Sequence, residues 1–147
     1  ADAEGRARPR YFSVVPNDSD GFCECESCTA VRSEYGLAGE LLLFVNDMAA
    51  AVKAQYPEVL IEMPAYWHYI DAPEKVVPAD NVEVRFAANA TDLLHDLNHA
   101  NNAHTLEQLQ KWAALCGASA DKGYENRLYF WQYVVNYNNN GIFPNSF

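Results

Sequence analysis

Positive charge is scarce in this sequence: 10 Lys and Arg face 20 Asp and Glu, giving a net charge of −10 over 147 residues. A surface of that sign repels phosphate backbones and anionic headgroups, which argues against nucleic acid and membranes as partners. Long apolar runs are missing as the sequence reads, because Asn, Asp or Glu interrupts each of them, so no membrane span is expected. The N-terminal Ala1-Asp2-Ala3-Glu4-Gly5-Arg6 has neither the apolar core of a signal peptide nor an initiator Met, as expected of a chain that is processed or excised from a longer one. No internal repeat is visible. No Gly-rich phosphate loop follows a strand-like run, which disfavours a doubly wound nucleotide-binding sheet.

Half of the residues are hydrophobic and 20% are charged, so the chain should fold as a soluble α/β unit with a real core. A short β-branched and aromatic run, Tyr11 to Val15, ends at Pro16 and reads as a strand. Residues 19–39 read as a long loop with one helical turn near Ala30 to Glu34. A helix follows from Glu40 to Tyr56, where Leu41, Val45, Met48, Val52 and Tyr56 recur at steps of three and four and Pro57 stops the run. Further strands are expected over Val59 to Tyr66, Val82 to Ala87 and Leu128 to Val134. A second helix is expected from Leu106 to Cys116, with Thr105 and Gln108 at capping-box spacing and Gly117 after it.

Strands separated by helices imply parallel pairing. Long, polar, aromatic-rich segments after the strands suit a (β/α)8 barrel of the TIM type, whose active face is built from such loops. A closed barrel takes about eight strands. The expectation is therefore a partial barrel, about half of one: a single α/β unit over residues 1–147, with 1–10 as a linker or the remnant of a preceding element. A longer parent chain would supply the rest. A self-contained four-stranded α/β domain is the alternative.

The block Ser13-Val14-Val15-Pro16-Asn17-Asp18, followed by Gly21-Phe22-Cys23-Glu24-Cys25-Glu26-Ser27-Cys28, resembles the bacterial domain-of-unknown-function family 4838. The likeness continues through Leu43-Phe44-Val45-Asn46, Tyr56-Pro57-Glu58-Val59-Leu60-Ile61-Glu62, Ala65-Tyr66, Asn81-Val82-Glu83-Val84-Arg85, Trp112, Arg127-Leu128-Tyr129-Phe130-Trp131 and Phe143-Pro144-Asn145. The resemblance implies a glycosidase-like barrel from a large secreted, periplasmic or cell-surface bacterial protein related to α-glucuronidases. It also implies a carbohydrate partner, through polysaccharide degradation or binding, and a polysaccharide or uronic-acid-containing sugar as ligand.

Glycoside cleavage needs two carboxyl groups flanking one bond. Asp18 follows the first strand and is the leading candidate, either as the acid or as a ligand for a sugar hydroxyl. Asn17-Asp18 as a plain turn cap is the competing reading. Glu62, inside a strand, and Asp92, in the loop after the third strand, compete for the second role. The family resemblance implies an acidic residue after the aromatic pair of the last strand, where this chain has Gln132. An amide hydrogen-bonds a hydroxyl but serves neither as base nor as nucleophile, so cleavage and mere binding both stay open. Flat aromatic rings suit pyranose faces. Tyr66, Trp67, Trp131, Tyr133 and Tyr137 are candidates for that role, as is Tyr69, with Asn17, His68, Asn89, Asn136, Asn138 and Gln132 for polar contacts. His95 joins them at a position that is often His in the family.

Cys23, Cys25 and Cys28 form a C-x-C-x-x-C cluster, read as structural zinc or a disulfide, with Cys116 or a histidine as a further ligand to a metal. Cys116 otherwise falls on an apolar helix stripe as a buried thiol. His95 and His99 stand four apart, a spacing that would suit a metal if they were helical, whereas exposure is expected for His99 and His104. The sugar chemistry itself requires no cofactor. A third reading is a metal- or disulfide-stapled interaction domain.

Overall fold

A computed structural model describes residues 9–117 and 126–132. It places four parallel strands in sequence order, β1 (Tyr11–Ser13), β2 (Leu60–Tyr66), β3 (Val82–Ala87) and β4 (Leu128–Trp131). Helix α1 (Glu26–Lys53) lies between β1 and β2, and α2 (Ala103–Leu115) between β3 and β4. The β2–β3 connection holds only a 3-10 turn, Trp67–Tyr69, so not every pair of strands is separated by an α-helix. The mixed α/β class with a parallel sheet is as the sequence leads one to expect.

Strict alternation sorts the strands into two faces. Ile61, Met63, Ala65, Val82, Val84 and Phe86 join Ala38, Leu42, Val45, Ala49 and Trp112 in one core between sheet and helices. The opposite face carries Ser13, Glu62, Glu83 and Arg85, set side by side by the register Ser13↔Glu62 and Glu62↔Glu83. A Pro in an inner strand would normally break a ladder. Pro64 is tolerated because Leu60 and Glu62 bond toward β1 whereas Ile61 bonds toward β3, so the missing Pro64 N–H faces the side where β1 has already ended at Ser13.

Helix α1 begins fourteen residues earlier than the expected Glu40 and ends at Lys53. Its N-terminal half, expected as loop, is helical up to Gly36, which adopts φ 72, ψ 173 and splits the element into two rods. A left-handed backbone costs glycine little, and the break hides the first rod from a periodicity search. Gly39 has a different role: a Cβ there would meet Tyr35 Cβ at 2.8 Å and Pro73 Cβ at 3.3 Å, so it lets the β2–β3 connection lie against the helix. By length and composition α1 would suffice to cross a membrane, contrary to the sequence expectation. Its stripe of Ala38, Leu42, Val45 and Ala49 packs on the sheet, which is the behaviour of a core helix.

Side chains from both helices satisfy the backbone of the irregular connection, as buried or half-buried amides require. Asn46 donates to the Val77 carbonyl and accepts from Ala79 N–H. Trp112 Nε1 donates to the Ile70 carbonyl at 2.8 Å, and Gln108 Oε1 accepts from Ala72 N–H. The expected capping box is therefore corrected: Asn102 occupies the N-cap, and Thr105 and Gln108 are buried. Gly117 follows α2 with φ 60, as its position suggests.

Candidate functional site

Parallel strands bring their C-terminal ends to one rim, and a cleft of about 340 Å³ opens there. β1 and the loop after it supply Val15, Pro16, Asn17 and Asp18. β2 and its 3-10 turn supply Pro64, Tyr66, Trp67, His68 and Tyr69, while Arg85 and Ala87 come from β3 and Trp131 from β4. Of the expected site residues, Asn17, Asp18, Tyr66, Trp67, His68 and Trp131 converge here, and so does Tyr69. Glu62, Asp92, Asn89, His95 and Gln132 do not line the cleft. Tyr133, Tyr137, Asn136 and Asn138 lie outside the described residues.

The aromatic wall is held in a costly conformation. Trp67 has φ 49, and it is the only non-glycine residue with positive φ among those described. For a bulky side chain this stores about 1–3 kcal/mol, and such strain clusters at ligand sites. Its indole stacks on His68 with ring centroids 4.0 Å apart. Tyr66 meets it edge-on. His68 Nε2 contacts Asp20 Oδ1 at 2.8 Å, which ties the β1–α1 loop to this wall. Across the cleft the Arg85 guanidinium lies 5.1 Å from the Trp131 ring centroid, a cation–π contact that fixes the indole plane.

The three carboxylate candidates have different fates. Asp18 is exposed on the cleft, and no hydrogen bond or ion pair ties it to the described residues. Glu62 accepts from Ser13 Oγ at 2.7 Å and pairs with Arg85 Nη1 at 3.2 Å, beneath the cleft. Asp92 organises its own loop by accepting from the Asn101 amide, Leu94 N–H and His95 Nδ1. Those bonds, the Asn101 amide first, hold its carboxyl down at about 2. His95 and His99 do not share a helix face. Their rings stack with centroids 3.8 Å apart in a loop, and His104 is exposed beside Asp71.

Two residues that the sequence reading passed over, Arg85 and Glu83, matter to this face. The signal was available in Val82-Glu83-Val84-Arg85-Phe86, where charges alternate with apolar residues at a strand period. Glu83 is only 2% exposed, and its Oε1 has no hydrogen-bond partner among the described residues. Arg127 Nη1 stands 3.8 Å away. Burial pushes the Glu83 carboxyl up, Arg127 opposes the shift, and Glu62 adds to it. Tyr11 and Tyr129, from the outermost strands, interact electrostatically on this side, and burial is the first cause that raises the Tyr129 hydroxyl.

Cys23, Cys25 and Cys28 lie where the β1–α1 loop enters α1, with their sulfurs all within 4.8 Å of one another. All are free thiols. The Cys25 thiol is drawn down to about 6, first by its bond with Ser27 and then by Cys28 N–H and Cys23. Its neighbour Cys28 is raised to about 11, chiefly because its proton is shared with Cys25. Cys116 packs against the core instead, and burial lifts its thiol to about 12. It takes no part in the cluster, and neither does any described histidine.

With this geometry in view, the comparisons with known proteins add one result. The model of a domain of unknown function (DUF4838) matches residues 2–146, so the chain belongs to that family. No curated protein and no solved structure matches it.

Proposed function

We propose that the cleft at the strand ends is a carbohydrate-binding site in a glycosidase-like protein. The observation that carries this reading is the convergence of Tyr66, Trp67 and Trp131 on one cleft that also holds Asn17, Asp18 and Arg85. Flat rings stack on the C–H face of a pyranose, while amide, carboxylate and guanidinium groups at the edges satisfy its hydroxyls. Arg85 also favours a ligand with a carboxylate, because its guanidinium offers a fork to such a group. A uronic-acid-containing saccharide fits that pairing, in line with the kinship to α-glucuronidases inferred above. Binding of this kind needs no cofactor.

A larger barrel is the setting we infer for it, in a secreted or cell-surface parent. The outer strands support this. Phe12 of β1 is 49% exposed and Trp131 of β4 is 51% exposed. An apolar groove lined by Phe12, Val14, Met48, Val52, Tyr56 and Ile61 runs beside β1, where a further helix would pack.

Calorimetric titration with a panel of neutral and uronic-acid oligosaccharides tests the binding reading. Trp131→Ala should weaken binding by about 1–3 kcal/mol, a typical cost for losing an aromatic anchor. A folded chain that binds no member of the panel would sink the reading. Hydrolysis is the second reading, favoured by the untied carboxylate of Asp18. It requires a second acid about 5 to 10 Å from the first, and the cleft holds Asp18 as its one acidic side chain among the described residues. Reducing-sugar release that persists in Asp18→Asn rules Asp18 out as the acid.

A further inference from the structure

We propose that Cys23, Cys25 and Cys28 form a three-thiolate site for one zinc-class ion that staples the β1–α1 loop to the first turn of α1. The fourth coordination position falls to a ligand from solvent. The proposal stands independently of the sugar reading.

Spacing comes first. Sulfurs bound to one tetrahedral zinc at about 2.3 Å lie roughly 3.8 Å from each other. The three sulfurs already sit within 4.8 Å of one another, with Cys23 Sγ and Cys25 Sγ 3.5 Å apart. Small side-chain rotations close the remaining gap. One ion engages all three thiols, whereas a disulfide takes two and leaves the third without a partner.

Charge and access follow. Three thiolates around a dication leave one net negative charge. The Arg32 guanidinium is placed to offset it: its Nη2 donates to the Cys23 carbonyl at 2.9 Å, and it interacts electrostatically with Cys23 and Cys28. Glu40 holds Arg32 in place through Nε at 2.8 Å. Cys23 and Cys25 are exposed, so an ion enters without unfolding the chain. Each thiol loses its proton to solvent on binding.

The site also has an anchor in the fold. Cys25 is the N-cap of α1 and Cys28 lies in its first turn, while Cys23 belongs to the loop that carries Asn17 and Asp18. Arg32 lies over the Phe22 ring, and that ring meets His68 and Tyr69 edge-on. A bound ion therefore fixes the loop against the cleft wall through Phe22.

Titrating the reduced full chain with Co(II) tests this. The expected result is one equivalent bound, a thiolate-to-cobalt charge-transfer band with tetrahedral d–d bands, and displacement by Zn(II). Cys28→Ser should weaken binding by at least about tenfold, and Cys116→Ser should leave it unchanged. Hydrogen exchange should slow over residues 17–28 on adding Zn(II) and stay constant over β2 and β3. Circular dichroism of each variant separates ligand loss from misfolding. The proposal is overturned if the reduced chain gives no charge-transfer band, or if the band survives in folded Cys28→Ser. It is equally overturned if the chain isolated without reductant is metal-free and short of two titratable thiols, the mark of a disulfide.

Discussion

The two faces of the sheet are built from the same strands and follow opposite rules. On the helix-covered face, Ile61, Met63, Ala65, Val84 and Phe86 are nearly or fully buried in an apolar cluster with the indole of Trp112. Such a face is stabilised by area removed from water, about 25 cal/mol per Å², and it tolerates little change of shape. On the other face Glu62, Glu83, Arg85 and Arg127 pair across strands, with Tyr11, Tyr129 and Trp131 beside them. Buried ion pairs contribute little net stability once desolvation is counted, so that face is poorly explained as a stabilising one. The contrast teaches that strand alternation separates, residue by residue, the apolar side chains that hold the fold from the charged and aromatic ones on the opposite face.

Substitutions on either side test that separation. The largest effect is expected from Trp112→Ala, which should cost about 3–5 kcal/mol in urea unfolding, while Trp131→Ala should stay within about 0.5 kcal/mol of the parent. Equal losses from the two tryptophans would break the comparison. Glu83→Gln is next. Its carboxyl is raised by burial, so the folded state holds the proton more tightly than the unfolded chain does, and ionisation destabilises as pH climbs through that raised value. The amide removes this cost, and stability at neutral pH should rise by up to about 1 kcal/mol. A drop instead would mean that the Arg127 pairing outweighs desolvation. The smallest effect belongs to Asn101→Ala. Asp92, held at about 2, contributes stability above the ordinary carboxylate range that is lost as pH falls through about 2. Removing the amide that lowers it most should move the onset of acid unfolding, followed by circular dichroism, to higher pH. An unchanged onset would show that Leu94 N–H and His95 suffice.

The same alternation explains what was legible beforehand. β3 could be read with its bounds intact, Val82 to Ala87, because its period of two survives in the sequence. The second rod of α1 was visible for the analogous reason, whereas the rod from Glu26 was masked by Ser27, Cys25 and Gly36, residue types that elsewhere mark loops. That Asn17, Asp18, Tyr66, Trp67, His68 and Trp131 come together in one cleft could be anticipated, because strand ends in a parallel sheet share one rim. Arg85 and the tying-up of Glu62 were not found, since both depend on cross-strand register, which pairs Pro64 with Arg85 and Ser13 with Glu62. Register is a property of two segments, and no single stretch of sequence carries it.

The placement of β1 and β4 at opposite edges of the sheet bears on the order in which the molecule assembles. The first and the last of the four described strands are held apart by β2 and β3. The apolar core can grow from neighbours in sequence, β2 with α1 and β3 with α2. The cleft at the strand ends has no such local route, because it draws its lining from Val15 through to Trp131 and so carries the largest loop-closure entropy. By that reasoning the cleft should form late in folding, and a change that destabilises β4 should open the cleft before it disturbs the core.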